Sequence, residues 1–287
     1  MPGSPGPRRA AATSLRVEIE FSKVDAITSL GAHAVGPHLD EACAATRGTW
    51  WFLRDASGWH VHLDGVDRAR IALALNRLVQ RGILQDWTTD LRCAPSPVGP
   101  TTGSVIGGLS CDRLAPGAAT DLHRADSRGT LAYLRELGLP ETHRSPLRTA
   151  HVLGILARTV CTEAGFDAGM SSDVLDSLAR RNAGGLNESA RVRAHGLTDL
   201  LTLLWQAPAS HTLGGAITPW ATDLLVIARS LGSAAQLSGL PHAEGVAHLR
   251  AQLQFALAAQ WDRLGLTRTD QTILAVATRG ALRRRAS

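Results

Sequence analysis

The chain opens with a short stretch in which apolar and polar residues alternate. Residues 15–21, LRVEIEF, carry an apolar side chain at every second position, the pattern of a half-buried strand. Residues 24–46 are rich in alanine and helical in character, with a break expected at Gly36-Pro37. Residues 50–65, WWFLRDASGWHVHLDG, then place two β-prone runs on either side of a turn signal at 55–58. This part of the chain predicts a strand, a helix and a hairpin.

The pattern beyond the hairpin becomes mostly helical. An amphipathic helix is predicted over 66–82, a returning strand over 83–93, and a Pro/Gly/Ser/Thr-rich loop over 94–104 that is long enough for a linker or an active-site flap. Further helices are predicted over 118–137, 146–164, 171–182, 187–206, 219–236, 243–264 and 268–284. The sequence therefore predicts an α+β fold, a mainly antiparallel sheet covered by many helices.

The chain is expected to form one domain. Its 287 residues are enough to bury a sizeable core, and no internal repeat divides them. Residues 15–284 are predicted to fold together, with a sheet-rich part over 15–115 and a helix-rich part over 116–284. Residues 1–14, rich in Pro, Gly and Arg, and the closing RRRAS are expected to be disordered.

Composition narrows the class of protein. The formal net charge is +5, but the basic residues are nearly all arginines scattered along helices, which favours an acidic peptide partner over nucleic acid. No run approaches the roughly 18 apolar residues of a membrane span, and the start lacks the apolar core of a signal peptide. The four cysteines are far apart and form no C-x-x-C pair. A cytoplasmic protein without membrane contact is the simplest interpretation.

The hairpin carries the strongest candidate chemistry. With a four-residue turn, Leu53 pairs with His60 and Trp51 with His62, and partners share a face. One face then holds an apolar set with Arg54 at its edge: Trp50, Phe52, Trp59, Val61 and Leu63. The other holds Trp51, Leu53, His60 and His62, with Asp64 just beyond. That second face suits proton transfer and the binding of an amide-rich or aromatic ligand, or its histidines are partly buried polar residues bonded to a covering helix.

Several other chemistries lack support. The H-x-H pair supplies two metal ligands at most, and no third Cys or His element has a helpful spacing, so no metal site is predicted. No G-x-S-x-G, Walker A or G-x-G-x-x-G motif is present, which argues against hydrolase, nucleotide and dinucleotide functions. Asp126 and Ser127 precede an apolar helical run and are as compatible with a helix cap as with a site.

Three segments, taken in order, resemble one known family. The hairpin resembles the pattern W-F-F-I-R-Y-x-D-P-G-x-H-x-R-x-R, although it lacks the Tyr and is one residue shorter before the His. DLHRADSRGTLAYL (121–134) resembles F-x-x-D-S-x-x-x-L, and LAAQWDRLGLTRTDQTILAVATRGAL (257–282) resembles the closing H-M-x-x-N-R-L-G helix and the helix after it. All three patterns are those of the C-terminal glutamate-elimination domain of lantibiotic dehydratases and of the stand-alone thiopeptide enzymes built on its fold, and this chain resembles that family.

The departures from that family concern the elimination site. In eliminating members the hairpin arginines help to hold a glutamyl ester, but the corresponding positions here are His62 and Asp64, and an acidic residue repels a carboxylate. The E-R-Y-G-G element is reduced to residues 105–108, VIGG, and the closing motif has Ala258, Ala259 and Gln260 in its histidine region and Asp262 for its Asn. A scaffold without elimination residues resembles the thiopeptide pyridine synthases.

The resemblance implies a reaction and a set of roles. Pyridine synthases join two dehydroalanines of a modified precursor peptide in a formal [4+2] cycloaddition, then lose water and the leader peptide, with no cofactor. Such a site needs proton shuttling, assigned here to His60 and His62 with Asp64 orienting one of them. Trp51 is expected to stack on substrate thiazoles. Contacts with peptide carbonyls and amides are expected from Arg54, Asp126, Ser127 and Gln260.

Two other functions remain open at this point, besides a plain helical protein with a structural role. A glutamyl-eliminating subunit of a split dehydratase would line its pocket with arginines. A non-catalytic module would bind the leader of the precursor without changing its mass. In each case the partner is a modified precursor peptide, and other biosynthetic enzymes are further candidate partners.

Overall fold

The sheet of this protein comes from the first third of the chain. The computed structural model describes residues 13–90, 117–138, 146–181, 185–206, 215–237 and 242–286. Within them, four strands form one antiparallel sheet in the order β2-β3-β1-β4. The strands are β1 (Thr13–Phe21), β2 (Thr49–Arg54), β3 (Gly58–Val66) and β4 (Leu84–Asp90). The predicted α+β class and the antiparallel sheet are confirmed.

Helices connect the strands on one side of the sheet. A 3₁₀ turn (Val24–Ala26), α1 (Ile27–Leu30), a π-helical turn (Gly31–Val35) and α2 (Gly36–Ala44) run continuously, so the break expected at Gly36-Pro37 does not occur. Pro37 stands in the first turn of α2, where a missing N–H costs little. The N–H of Gly36 reaches back five residues to the carbonyl of Gly31. After the hairpin, α3 (Arg68–Gln80) leads into β4.

The second part of the described chain is helical. Its helices lie within three residues of their predicted ends: α4 (Ala118–Leu137), α5 (Pro146–Glu163), α6 (Ala168–Ala179), α7 (Glu188–Gln206), α8 (Ile217–Leu237), α9 (His242–Arg263) and α10 (Arg268–Ala286). Because α10 continues to Ala286, the tail expected to be disordered is helical. Among these helices, none has the length and apolar character needed to cross a membrane. The predicted loop 94–104 lies outside the described residues, as do residues 1–12, whereas residues 13 and 14 belong to β1.

The apolar face of the sheet forms the core beneath α1, α2 and α3. Its side chains are at most 7 % exposed: Leu15, Val17, Ile19, Phe21, Trp50, Phe52, Trp59, Val61 and Leu63. The Trp59 ring stacks on Phe52 at 3.9 Å and crosses Gly31, where a Cβ atom would lie 2.0 Å from the indole. Burial of one such side chain contributes about 1.5–3 kcal/mol. The aromatic residues of the hairpin are therefore explained first by packing.

The helical part closes the edge of the sheet at β2. This strand is the last in the described sheet, so its outward N–H and C=O groups need partners. The N–H of Phe52 donates to Ser127 Oγ on α4 at 3.2 Å, and Arg263 Nε on α9 donates to the carbonyl of Phe52 at 2.7 Å. Two side chains thereby join the helices to the sheet and fix the height of α4 and α9 along β2.

Candidate functional site

The face of the sheet opposite the core carries the predicted site. The hairpin register is the predicted one, with Trp51 opposite His62 and Leu53 opposite His60. On the other side of β3, β1 places Arg16 opposite His62 and Glu18 opposite His60. We call this surface the histidine face, and it consists of Arg16, Glu18, Trp51, His60, His62 and Asp64.

His60 is held between two carboxylates. Its Nε2 lies 2.9 Å from Asp55 Oδ2, and its Nδ1 lies 3.3 Å from Glu18 Oε1. The hydrogen bond to Asp55 raises the pKa of His60 above its ordinary value, and the same bond holds the pKa of Asp55 well below its usual range. Asp55 Oδ1 also accepts from the N–H groups of Ser57 and Gly58, which fixes the turn. The charged form of His60 is therefore favoured.

His62 has the opposite environment. Its ring stacks on the Trp51 indole with centroids 3.9 Å apart and planes only 1° apart. Burial, reinforced by the charge of Arg16, lowers the pKa of His62 to about 4. His123 of α4 stacks on the same indole at 4.9 Å, and burial together with Arg263 lowers the pKa of His123 well below its ordinary value. Both imidazoles on Trp51 are thus neutral at neutral pH.

The face therefore combines, on one strand, an imidazole whose pKa is raised and one whose pKa is lowered. Because His60 and His62 are two residues apart, their Cα atoms are about 7 Å from each other and their side chains point the same way. The side chain of His60 is 20 % exposed and His62 is half-buried, so neither is sealed inside the protein. Environments that push two pKa values apart are those that separate an acid from a base.

Asp64 contacts an arginine instead of a histidine. Its two oxygens accept from Ser14 Oγ at 2.7 Å and from Arg124 Nη2 of α4 at 2.5 Å. It affects His62 only through its charge, and the carboxylate that orients His60 is Asp55. The predicted orienting role of Asp64 is thus filled by Asp55 in this structure.

Two guanidinium groups on this face retain donors. Arg16 Nε and Arg124 Nε are buried, and neither has a hydrogen-bond partner among the described residues. Each arginine also has a carboxylate near another nitrogen, Glu18 for Arg16 and Asp64 for Arg124. Each Nε–H is enclosed by protein in this structure, so it reaches a ligand oxygen over the histidine face only if the arginine side chain moves.

Three of the predicted binding residues lie in a buried cluster between α4, α8 and α9. Trp220 Nε1 and Gln260 Nε2 donate to Asp126 Oδ1 at 3.1 and 2.8 Å, and Arg263 pairs with Asp126 Oδ2. Burial raises the pKa of Asp126, while Arg263 and the hydrogen bonds act against that shift. With Ser127 bonded to Phe52, the residues Asp126, Ser127 and Gln260 hold the helices together, and their contacts with a peptide stay a prediction.

The other two predicted binding residues differ in position. Trp51 is 4 % exposed and already engages two imidazoles, so a substrate ring reaches it only by displacing one of them. Arg54 lies on the apolar side of the hairpin, where it donates to Thr28 Oγ1 and lies against Gly265. The structure thus brings His60, His62, Asp64 and Trp51 together and leaves Arg54 apart from them.

Comparison with known proteins shows which solved structures this chain resembles. No family model and no curated protein matches the sequence. Among solved structures, the tRNA-dependent lantibiotic dehydratase MibB from Microbispora sp. 107891 matches with a TM-score of 0.64 and 14 % identity, over 99 % of this chain and 29 % of MibB. The pyridine synthase TbtD from thiomuracin biosynthesis matches with a TM-score of 0.60 and 14 % identity, over 94 % of this chain and 98 % of TbtD. The chain has the fold of these two enzymes.

That finding confirms the structural relation predicted from the three segments. The chain spans less than a third of MibB but nearly the whole of TbtD. The segments that carried the resemblance are the hairpin, most of α4 and the end of α9 with α10. In the structure the hairpin, α4 and α9 meet at the edge of β2.

Sequence reasoning missed several residues of the histidine face. Arg16 and Glu18 occupy the polar positions of an alternating strand, and only the pairing of β1 with β3 shows that they stand beside the histidines. Asp55 was interpreted only as a turn residue. His123 and Arg124 lie two to three residues before Asp126 of the second resembling segment, which was the available signal for them. Within the described residues, no group of three or more His, Cys, Asp or Glu side chains is arranged to hold a metal ion.

Proposed function

We propose that this chain is an enzyme of ribosomal peptide natural-product biosynthesis and that it forms the pyridine-centred macrocycle of a thiopeptide. The reaction is a formal [4+2] cycloaddition of two dehydroalanines in a modified precursor peptide, followed by loss of water and of the leader peptide. The observation that supports it most is the match to nearly the full length of the pyridine synthase TbtD. His62 and Asp64, at the hairpin positions where eliminating enzymes carry arginines, support it further.

The opposite charge states of the two histidines suit the first step. The C=N double bond of the diene forms when a backbone amide tautomerises, that is, when it loses its N–H proton and gains a proton on oxygen. Neutral His62 accepts the first proton and charged His60 donates the second. The tautomer, a 2-azadiene made of the first alkene and the new C=N bond, then adds to the second alkene with formation of two C–C bonds. Acid–base assistance of this kind contributes about 10²–10⁴-fold in rate.

Positioning of the two alkenes is the larger requirement. Two distant parts of a flexible peptide must meet. When two reacting groups are already held in place, the activation barrier falls by up to about 7–11 kcal/mol in ideal intramolecular reactions. A shift of the Arg16 and Arg124 side chains on binding would bring their buried Nε–H groups to peptide carbonyls beside His62. The hydroxyl of the adduct later leaves as water after protonation, and the leader departs as its carboxamide.

Mass spectrometry of a processed precursor tests the proposal. The purified chain is incubated with an azole-containing precursor that bears two dehydroalanines. Loss of one water together with a free leader carboxamide is the expected outcome, and an unchanged precursor contradicts the reaction. Chain with His33→Gln, a substitution of an exposed histidine on the π-helical turn, serves as the matched control and should process the precursor at the native rate.

Glutamyl elimination is the second candidate, since Arg16 and Arg124 do lie on the histidine face. It is less favoured because Asp64 is 2.5 Å from Arg124 and Glu18 is 3.8 Å from Arg16, so both guanidinium charges already face a carboxylate. A glutamylated precursor separates the two functions, because only an eliminating enzyme releases free glutamate from it. Binding of the precursor with neither change in mass identifies a non-catalytic leader-binding module.

A further inference from the structure

An open groove of about 310 Å³ lies between α7 and α10. Its volume is at the lower end of the range of ligand sites in proteins. Four basic side chains line it, namely Arg191, His195, Arg279 and Arg284, and its described lining contains no acidic side chain. We call it the α7–α10 groove. None of its residues belongs to the histidine face.

The two helices approach closely, which brings arginines from both into one groove. A Cβ atom on Gly280 of α10 would lie 2.8 Å from Thr198 Cγ2 of α7, so only glycine permits this spacing. Arg191 and His195 are one turn apart on α7, and Arg279 and Arg284 are on α10. The basic character therefore depends on the packing of the two helices and not on one run of sequence.

Positive charge is in excess around this groove. Each groove arginine has a carboxylate near it: Glu188 lies 3.6 Å from Arg191, Asp176 pairs with Arg279, and Asp199 lies 2.5 Å from Arg284. The last turn of α10 adds Arg283 and Arg285 to these. Burial, and after it the charge of Arg283, lowers the pKa of Arg279. A guanidinium carries five N–H donors, so these arginines can keep their aspartates and still donate to a ligand.

We propose that the α7–α10 groove binds an acidic peptide segment, with carboxylates of that segment held by Arg191 and Arg284. Carboxylates match the forked donors of arginine, and an open groove accepts an extended chain more readily than an enclosed cavity does. The inference rests on the proposed function only where it takes the segment to be part of the precursor peptide.

Fluorescence anisotropy with a labelled peptide of alternating glutamate and serine tests the proposal, and the same peptide with glutamine for glutamate is the matched probe. The acidic peptide should bind, and its affinity should fall with added salt. The double variant Arg191→Gln/Arg284→Gln should weaken binding roughly three- to tenfold, as expected for loss of two exposed ion pairs. Arg70→Gln/Arg77→Gln on α3 removes the same charge from exposed positions and should change it less than about twofold.

Three outcomes would overturn the inference. They are equal weakening in both double variants, equal binding of the glutamine peptide, and displacement of the acidic peptide by a single-stranded oligonucleotide of higher affinity. Arg191→Lys/Arg284→Lys keeps the charge and should restore part of the affinity, which excludes misfolding as the cause of the loss. Because this assay involves no chemistry, a chain that binds the peptide but leaves the precursor unchanged refutes only the proposed function. A chain that forms pyridine without binding the peptide refutes only this inference.

Discussion

Two polar clusters lie on either side of β2, and they differ in what holds their charges. In the buried cluster, Asp126 is enclosed by Arg263, Gln260 and Trp220, and the Asp126 and Arg263 side chains are 4 % and 0 % exposed. On the histidine face, His60 keeps 20 % of its side chain exposed and meets two carboxylates of which Glu18 is 49 % exposed. The first cluster faces inward and the second faces solvent.

The comparison shows how one fold separates stability from chemistry. Arg263 satisfies both Asp126 and the carbonyl of Phe52, so its bonds lock α9 against the sheet and leave no oxygen of that carboxylate for a substrate. On the histidine face, proton affinities differ between neighbours, since the pKa of His60 is raised and that of His62 is lowered to about 4. A buried carboxylate that is held by a cation and two further donors rigidifies the fold, whereas a cluster with unequal proton affinities can transfer protons.

A substitution of His62 should distinguish the histidine face from the buried cluster most clearly. Replacing it with Phe keeps a flat ring over Trp51 but removes the nitrogen that accepts a proton, so the rate of pyridine formation should fall about 10²–10⁴-fold. The rate is measured by mass spectrometry of the precursor over time. The midpoint of urea unfolding should change little. If the variant keeps its rate, the group that accepts the proton is not His62. The histidine face would then no longer differ from the buried cluster by its role in proton transfer.

The buried cluster should show the reverse behaviour. Arg263→Gln leaves Asp126 buried without its cation and removes a donor to Phe52, so the free energy of unfolding should drop by about 3–5 kcal/mol. Urea unfolding followed by circular dichroism measures it. Arg193→Gln, which breaks the exposed pair with Asp270, is the control and should cost less than about 1 kcal/mol. Similar losses in the two variants would mean that the buried pair contributes no more than a surface one.

The fold could be predicted from the sequence to a large extent, because its signals are local. Alternation located β1, the four-residue turn set the register of Trp51 against His62, and helical periodicity placed α4 to its ends. The π-helical turn before Pro37 was missed, since a Gly-Pro pair in sequence is a helix breaker and only the local widening of the turn accommodates it.

The candidate site was predictable only in part. The two histidines followed from the hairpin alone, whereas the arginines beside them depend on which strand pairs with β3 and on where α4 docks. The assignment of Asp126 and Gln260 to substrate contacts follows from the resemblance of their segments to the family and not from the pattern of the chain itself. The sequence shows that Arg263 stands three residues after Gln260, but it does not show that Arg263 neutralises Asp126. That ion pair joins α4 to α9, so it depends on how the two helices pack.

The link between the clusters can be tested at Ser127. Ser127→Ala removes the acceptor for the N–H of Phe52 at the edge of β2, and an unsatisfied buried N–H costs about 1–3 kcal/mol. The loss should appear in urea unfolding and, because β2 carries Trp51, as a smaller decrease in pyridine formation. Ser177→Ala on α6 is the matched control and should lie within about 0.5 kcal/mol of native. A silent Ser127 variant would show that water replaces the hydroxyl at this edge.

The smallest expected effect, a pH dependence, distinguishes the two histidines of the face from each other. The pKa of His60 is higher in the folded chain than in the unfolded one, so its contribution to stability is present below the ordinary histidine pKa of about 6.5 and is lost as pH rises through the folded value. The pKa of His62 is lower when folded, so its contribution runs the other way and falls between about pH 6.5 and pH 4.

Urea unfolding of His60→Gln and His62→Gln between pH 5 and pH 9 measures both contributions against the native chain. The stability difference between native and His60→Gln should grow on acidification toward pH 5, by about 0.5 kcal/mol, because Asp55 and Glu18 then pair with a charged imidazole. Relative to His62→Gln, the free energy of unfolding of the native chain should instead decrease as pH falls. The reason is that the His62 imidazole takes up a proton more easily in the unfolded chain than in the folded one. Parallel pH profiles for the two variants would mean that both imidazoles share one charge state, and the division into an acid and a base would then have to be abandoned.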